Sequence, residues 1–429
     1  MSTDKSASGL SRRSLLGAAG VGALAVGGAG FVAGAKSESV PVAADPDAVA
    51  IPFEGAHQAG IVTPAQDRLY FVVLDMSSDE REDLISLLKD WTAAARKLTQ
   101  GNDIGDFGAV SGDPFAPPED TGEALGLPPS QLTLTVGFGP SLFEDADGKP
   151  RFGLEGKKPE LLAELPAFSG DRLQAGISGG DLAIQACAND PQVAVHAVRN
   201  LVRIAFGRAS VRYSQMGFGR TSSTSSAQVT ARNMLGFKDG TANIKVEEKK
   251  TVEEFVWVKE DGGPDWLVGG SYLVSRKINM RIETWDRESL EGQNSIIGRS
   301  KGSGGPMSGG DEFDEIDFKA KAKGEDGELL VGEKSHVRLA HPDFNKGAKM
   351  LRRGYNFVDG SDGLGQLSAG LFFLAYQRNP EKQFVQVQKS LAGLQNDLLN
   401  EYIVHVSSGL FACPPGVGKR GYWGEKLFT

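Results

Sequence analysis

The order of extended and helical segments predicts an α+β protein built from two consecutive modules. Three observations predict it. The first half of the chain reads strand, helix, strand, strand, helix, strand; much of that pattern returns in the second half; and a Ser/Thr run, Thr221 to Ser226, separates the two. At 429 residues the chain has room for two or three domains. Its composition, 40% hydrophobic and 24% charged, is that of a globular protein, and 56 glycines predict many turns. The net charge of −9 argues against nucleic acid as a partner, because phosphate binding needs a basic face.

Residues 1–35 read as an export signal. Ser11-Arg12-Arg13-Ser14-Leu15-Leu16 is a twin-arginine pattern, low-charge Gly/Ala sequence follows to Phe31-Val32, and Ala33-Gly34-Ala35 is an A-x-A-like cleavage site. The run from Leu15 to Ala35 is also about long enough to span a bilayer, the competing reading, though it is poor in Leu and Ile. Twin-arginine export carries folded proteins, which suits a cofactor acquired before export. The mature protein is expected to be extracellular, periplasmic or in the cell envelope. Residues 36–52 form a polar lead expected to be flexible.

The first module covers 53–220. Leu69 to Leu74 is an apolar run suited to a buried strand. Ser78 to Thr99 has helical periodicity, with Leu84, Leu87, Leu88, Trp91 and Ala95 on one face. Residues 100–130 are rich in Gly, Asp and Pro and read as loop. Leu132–Val136 and Asp181–Cys187 are the next strands. Asp190-Pro191 opens a helix to about Phe206, with Asp as cap and Pro at the first helical position. Val211–Ser214 is the fourth strand. This order is the ferredoxin-like arrangement, an antiparallel sheet with both helices on one face.

The second module covers 221–429. Ser271–Ile278 is a strand, a helix is expected near Trp285-Asp286, and His336–Leu339 reads as extended after an ionic, Gly-rich insertion. Arg353 to Phe357 is extended, Gly370–Tyr376 is a strand, and Asn379-Pro380 opens a helix to about Leu391. Cys187 and Cys413 lie outside any metal-binding spacing and read as two separate buried thiols, with a disulfide between them as the competing reading in an exported protein.

Three segments carry chemistry. Gly236-Phe237-Lys238-Asp239-Gly240-Thr241-Ala242-Asn243 places a carboxylate between glycines in a tight bend. Asp239 is suited to moving a proton; the bland reading is a turn aspartate bonded to its own backbone. His336 and His341, in Ser335-His336-Val337-Arg338-Leu339-Ala340-His341-Pro342, are candidate metal ligands among the five histidines. The proline after His341 suggests a turn, which favours His336. Arg352 and Arg353 are adjacent, so on an extended segment they face opposite ways, and at most one can serve a pocket as fixed positive charge. Acid, imidazole and guanidinium together are the parts of a haem peroxidase. The acidic run Asp311–Asp317 reads as a solvated loop, and the five tryptophans as core.

Taken together these motifs resemble the dye-decolourising peroxidases, in particular their twin-arginine-exported, deferrochelatase-like branch. Arg232 to Asn243 resembles that family's GxxDG segment, Phe53 to Ile61 its N-terminal entry, and Ile296-Ile297-Gly298-Arg299 its mid-chain segment. His336–Ala340, Leu351–Tyr355 and Gly370–Phe373 follow in family order, so the resemblance spans about residues 50–429. It implies two tandem ferredoxin-like modules with one haem b per chain in the second. It also implies hydrogen peroxide as oxidant and dyes, phenols or similar one-electron donors, and leaves assembly as a homo-oligomer open. By motif position the distal acid falls on Asp239, the axial histidine on His336 and the distal arginine on Arg352. Haem contacts fall on Gly240, Thr241 and Ala242 and on His341, Pro342 and Asp343, with Leu371 and Phe373 as apolar residues over the distal face. The family commonly has Asn-Pro-Arg where this chain has His341-Pro342-Asp343. An aspartate there repels a propionate, which passes the cation's role to Arg299 or Arg338. The alternative the resemblance carries is a haem-binding protein that delivers haem or releases its iron.

Overall fold

The computed structural model describes residues 46–323, 327–393 and 396–429. The twin-arginine segment lies outside the described residues. Of the lead, Pro46–Ala48 forms a 3-10 turn in which the Asp47 carbonyl accepts from the Ser130 amide at 2.8 Å and its carboxylate from Asn189 at 2.9 Å.

In chain order the first module holds β1 (Arg68–Met76), α1 (Arg81–Leu98), β2 (Thr133–Phe138), α2 (Pro140–Phe143), β3 (Leu182–Ala188), α3 (Pro191–Ala205) and β4 (Ala209–Phe218). The second holds α4 (Lys249–Phe255), β5 (Ser271–Met280), α5 (Ile282–Trp285), α6 (Leu290–Ile297), α7 (His336–Ala340), β6 (Leu351–Arg352), β7 (Tyr355–Ser361), β8 (Leu367–Gln377), α8 (Gln386–Leu391) and β9 (Ile403–Cys413). The periodic face expected for α1 is buried, with Leu84, Leu87, Leu88, Trp91 and Ala95 all inaccessible. The Asp190 side chain caps α3 by accepting from the Gln192 and Val193 amides.

The strands order as β2-β3-β1-β4 in the first module and β9-β5-β8-β7 in the second, all pairs antiparallel. These are one permutation used twice: the first and third strands of each module lie side by side, flanked by the fourth and the second. Two single-residue bridges, Phe138↔Ala412 and Phe218↔Asn356, join the sheets edge to edge, so the eight strands close on themselves. Closure removes the free edges that two open sheets would expose. β6 pairs with β8 beyond β7 on the same edge.

Closure separates two kinds of surface. Inside, Leu69, Phe71 and Val73 of β1 share a core with Phe372, Leu374 and Tyr376 of β8 and with Phe411 and Cys413 of β9. Cys187 and Cys413 are both free and buried there, as two separate thiols. Outside, helices cover each sheet. On the second module Ile278, Met280 and Leu371 pack with Leu235, Phe237, Trp285, Ile296 and Tyr402.

Two expectations are corrected and one strand was missed. The His336–Leu339 stretch is not extended but opens the one-turn α7, its Leu339 amide bonding the Ser335 carbonyl at 3.2 Å; five residues of mixed character do not distinguish a turn of helix from a strand. Asp286 does not start a helix. It ends α5, and Ser289 caps α6 through the Gly292 amide. Thr221–Ser226 is the connecting segment expected, without helix or strand, and its residues Thr221–Ser225 are buried. β9 went unpredicted because Ser407, Ser408 and Gly409 interrupt its apolar pattern. The structure gives those serines partners, Ser407 Oγ donating to the Ile177 carbonyl and the Ser408 amide to Ser178 Oγ.

β9 also carries His405, whose Nδ1 accepts from Arg276 Nε at 3.3 Å. Burial, then the Arg276 cation and the His336 charge, push its pKa down to about 3. A histidine neutral in the fold but free to charge when unfolded makes the unfolded chain bind more protons between those two pKa values. Stability is therefore expected to fall on acidification from about pH 6.5 towards 3, by about 1.4 kcal/mol per pH unit. Urea melts at pH 7 and pH 4.5 on wild type and His405→Gln check this; an equal pH slope in the two proteins refutes it.

Candidate active site

Asp239 stands at the end of a small hairpin. Arg232 and Lys238 pair as an antiparallel bridge, and the Asn233 side chain accepts from the Leu235 and Phe237 amides at 3.0 and 3.3 Å. Gly236 makes the bend at φ +84°. The Asp239 amide then bonds the Ala231 carbonyl at 2.9 Å. Gly240 follows at φ +95°, and a Cβ on it would lie 2.9 Å from Ser222 Cα and Ser223 N. The absence of a Cβ therefore lets this turn close on the backbone of the buried Thr221–Ser225 segment.

Arg352 arrives from the other side of the sequence. On β6 it pairs with Ala375, so its side chain shares a sheet face with Leu371 and Phe373. Arg353 points the opposite way, into the closed core, where it is wholly buried and donates to the Thr63 carbonyl and to Gln66 Oε1. It is not a surface residue. Arg352 Nη1 meets Asp239 Oδ1 at 2.6 Å, the two side chains 29% and 13% exposed. The second carboxylate oxygen contacts Asn233 Nδ2 at 3.5 Å.

His336 opens α7. Its Nδ1 meets Asp397 Oδ2 at 2.7 Å, and Asp397 is itself held by accepting from the Leu399 amide at 2.9 Å through its other oxygen. Burial works against the imidazolium, but the Asp397 carboxylate outweighs it and raises the His336 pKa, with Asp239 and Arg352 both near enough to act on the same charge. With Nδ1 taken, Nε2 is the nitrogen left to ligate a metal. Asp397 was missed from the sequence. It stands 61 residues from His336 and reads there only as the cap of a short helical turn.

The rival histidine has a weaker and more exposed partner, its Nδ1 lying 3.5 Å from the Asp343 carboxylate. His341 Nδ1 accepts from the Asp343 amide at 3.3 Å, its ring lies edge-on to Phe318, and its charged neighbours are Asp343, Arg299 and Lys349. Pro342 begins a 3-10 turn, and the Asp343 side chain is 72% exposed. Arg299 is buried, with Nη1 on the Gly304 and Glu312 carbonyls; Arg338 donates to the Phe318 carbonyl. Thr241 Oγ1 donates to Glu312 Oε1 at 3.2 Å, and Ala242 is exposed. Glu312 also binds Lys238, so one member of the acidic run is anchored beside Asp239 while its neighbours are solvated. All five tryptophans are buried.

A single free imidazole nitrogen suits an iron whose remaining nitrogen ligands would come from a porphyrin; among the described residues no cluster of three or more His, Cys, Asp or Glu side chains is placed to hold a bare ion. Leu371, Phe373 and Ile278 supply apolar surface on the adjoining sheet face. The residues present fit a haem.

Known proteins agree. The family model described as "Dyp-type peroxidase, N-terminal" matches residues 58–219, and that described as "Dyp-type peroxidase, C-terminal" matches 230–418. Deferrochelatase of Shigella sonnei is 38% identical over 426 residues, covering 97% of this chain and 96% of that protein. Deferrochelatase of Yersinia pseudotuberculosis is likewise 38% identical, over 429 residues, 98% of this chain and 95% of its own. Ferric DtpA from Streptomyces lividans superposes with a TM-score of 0.79 at 38% identity, over 89% of this chain and 97% of that one. The DyP-type peroxidase of Cellulomonas bogoriensis gives 0.78 at 36% identity, over 90% and 99%. With both halves matched in order and relatives aligned nearly end to end, the chain belongs to the Dyp-type peroxidase family and is a haem peroxidase.

Proposed function

We propose that this protein uses hydrogen peroxide to oxidise dyes, phenols or similar one-electron donors, with a single haem b held by His336. The observation that carries the reading is the 2.6 Å Asp239–Arg352 pair standing within electrostatic reach of an imidazole whose Nδ1 is tied to Asp397. When bound, a haem would supply the coordination site for peroxide and the two electrons that break its O–O bond, one from the iron and one from the porphyrin or a nearby residue. Asp239 takes the peroxide proton and returns it to the oxygen that leaves. Arg352 orients the peroxide and stabilises the negative charge that builds on the departing oxygen, as fixed donors do at a developing oxyanion. Asp397 holds the His336 ring in one orientation and keeps its free nitrogen basic. Gly240, Thr241 and Ala242 and the His341–Asp343 segment border the cofactor in this reading, with Leu371 and Phe373 as its apolar cover. In this reading Arg299 or Arg338 supplies the cation for a propionate, a role that the Asp343 carboxylate does not fill.

The name carried by the curated relatives supports a second reading, in which the protein takes iron from haem. One experiment separates the two. Dye turnover that depends on peroxide supports the first; iron-free porphyrin and free iron appearing without peroxide support the second and count against the first.

The protein is further proposed to be exported by the twin-arginine route, on the strength of Arg12-Arg13 and the segment behind them. Replacing both arginines by lysine is expected to leave the protein in the cytoplasm on cell fractionation; unchanged export removes the proposal.

A further inference from the structure

Asp239 and Arg352 stand 113 residues apart on separate segments, yet their side chains meet at 2.6 Å. A guanidinium on a flexible stem does not hold such a contact unless its own backbone is fixed relative to the carboxylate. β6 is only two residues long, so pairing with β8 alone leaves it weakly held. In an antiparallel strand the N–H and C=O of one residue point to the same side. Those of Arg353 and Leu351 serve the β8 side, the Arg353 amide donating to the Leu374 carbonyl at 2.8 Å. Those of Arg352 face away from it.

One side chain occupies that far edge. Asn243 Oδ1 accepts from the Arg352 amide at 2.8 Å, and Asn243 Nδ2 donates to the Arg352 carbonyl at 2.8 Å. The primary amide thus copies a neighbouring strand at one residue. Nδ2 also donates to the Ser223 carbonyl at 3.1 Å, and the Asn243 amide bonds the Gly240 carbonyl at 3.1 Å. Asn243 is 5% exposed and lies four residues beyond Asp239. Its side chain joins the carboxylate's loop, the inter-module segment and the arginine's backbone.

We propose that Asn243 is the positioning residue that sets Arg352 against Asp239. It rests on the peroxidase reading, in which those two groups act on peroxide. No other common side chain reproduces the arrangement. Aspartate keeps the shape and one acceptor but loses both donations and turns an oxygen towards the Arg352 carbonyl; glutamine is a methylene too long; serine cannot reach both groups of the main chain.

The test uses holoprotein carrying Asn243→Asp or Asn243→Ala, alone and combined with Arg352→Leu. In each single variant the second-order rate of reaction with peroxide is expected to fall about 10- to 100-fold, as for other displaced or loosened supporting groups, with the donor's KM unchanged. Fluoride, an anion that accepts hydrogen bonds, is expected to bind the ferric holoprotein about tenfold more weakly when the guanidinium is displaced. In the Arg352→Leu background neither Asn243 substitution is expected to lower either quantity further, because its effect runs through the missing side chain. Wild-type rate and fluoride affinity in both single variants, or losses that add in the double variants, overturn the proposal. If Asn243→Ala fails to fold, the near-isosteric Asn243→Asp decides. If the wild type itself ignores peroxide, the peroxidase reading fails, while fluoride binding still reports whether Asn243 places Arg352.

Discussion

Replacing Arg352 by leucine is expected to slow the reaction with hydrogen peroxide by about 10²- to 10³-fold, the loss seen when one preorganised donor to a developing oxyanion is removed. The same change is expected to cost the fold little. The Arg352 side chain is 29% exposed, and an ion pair so open to water stabilises a protein by no more than about 1 kcal/mol. Its strand pairing and its two main-chain bonds to Asn243 do not involve the side chain that is lost. A catalytic loss worth about 3–4 kcal/mol against a stability change several times smaller separates a functional arginine from a structural one. Asp239→Asn tests the partner. It keeps the shape but removes the proton acceptor, and general-base catalysis of this kind is worth about 10²- to 10⁴-fold. Stopped-flow mixing of the holoprotein with peroxide measures both. If neither substitution slows the reaction, the roles assigned to this pair are wrong.

His336→Ala is expected to yield protein without the visible absorption of bound haem, whereas His341→Ala keeps it. The two histidines are five residues apart on one turn and its exit, and only their bonding distinguishes them. His336 Nδ1 meets the buried Asp397 carboxylate at 2.7 Å, while His341 Nδ1 accepts from the Asp343 amide and lies 3.5 Å from a carboxylate that is 72% exposed. Asp397→Asn is expected to bind haem about 10- to 100-fold more weakly, since the imidazole loses the carboxylate that orients it and raises its basicity. A spectrum indifferent to losing His336 and abolished by losing His341 would exchange their assignments.

The acid, the histidine and the arginine were legible because each sits in a short segment whose local character is unusual: a carboxylate between two glycines, a histidine before a hydrophobic turn, a pair of arginines on an extended stretch. Alternation also told Arg352 from Arg353 in principle, since neighbours on a strand face opposite ways. What the sequence withheld is whatever depends on distant partners. Asp397 looks like a cap until the fold brings it to His336. β9 looks like a loop until the 174–178 segment and Arg276 satisfy its serines. The serines and threonines between the modules read only as a connecting run, yet they are buried and form the floor on which Gly240 closes. For Asp397 and the β9 serines a polar residue is buried because a group far away in the chain meets it, and no local periodicity records such a meeting.

The opposed directions of Arg352 and Arg353 tie the two modules into one working part. Every group named at the peroxide site comes from beyond residue 220, so the earlier module looks like a bystander. Yet the guanidinium next door to Arg352 is moored on Thr63 and Gln66 of that module, one peptide unit from the residue that faces the substrate. A lesion at Gln66 would reach the chemistry without touching the reaction chamber, and the C-terminal half expressed by itself would carry every reactive group but lack the anchorage that keeps them in register.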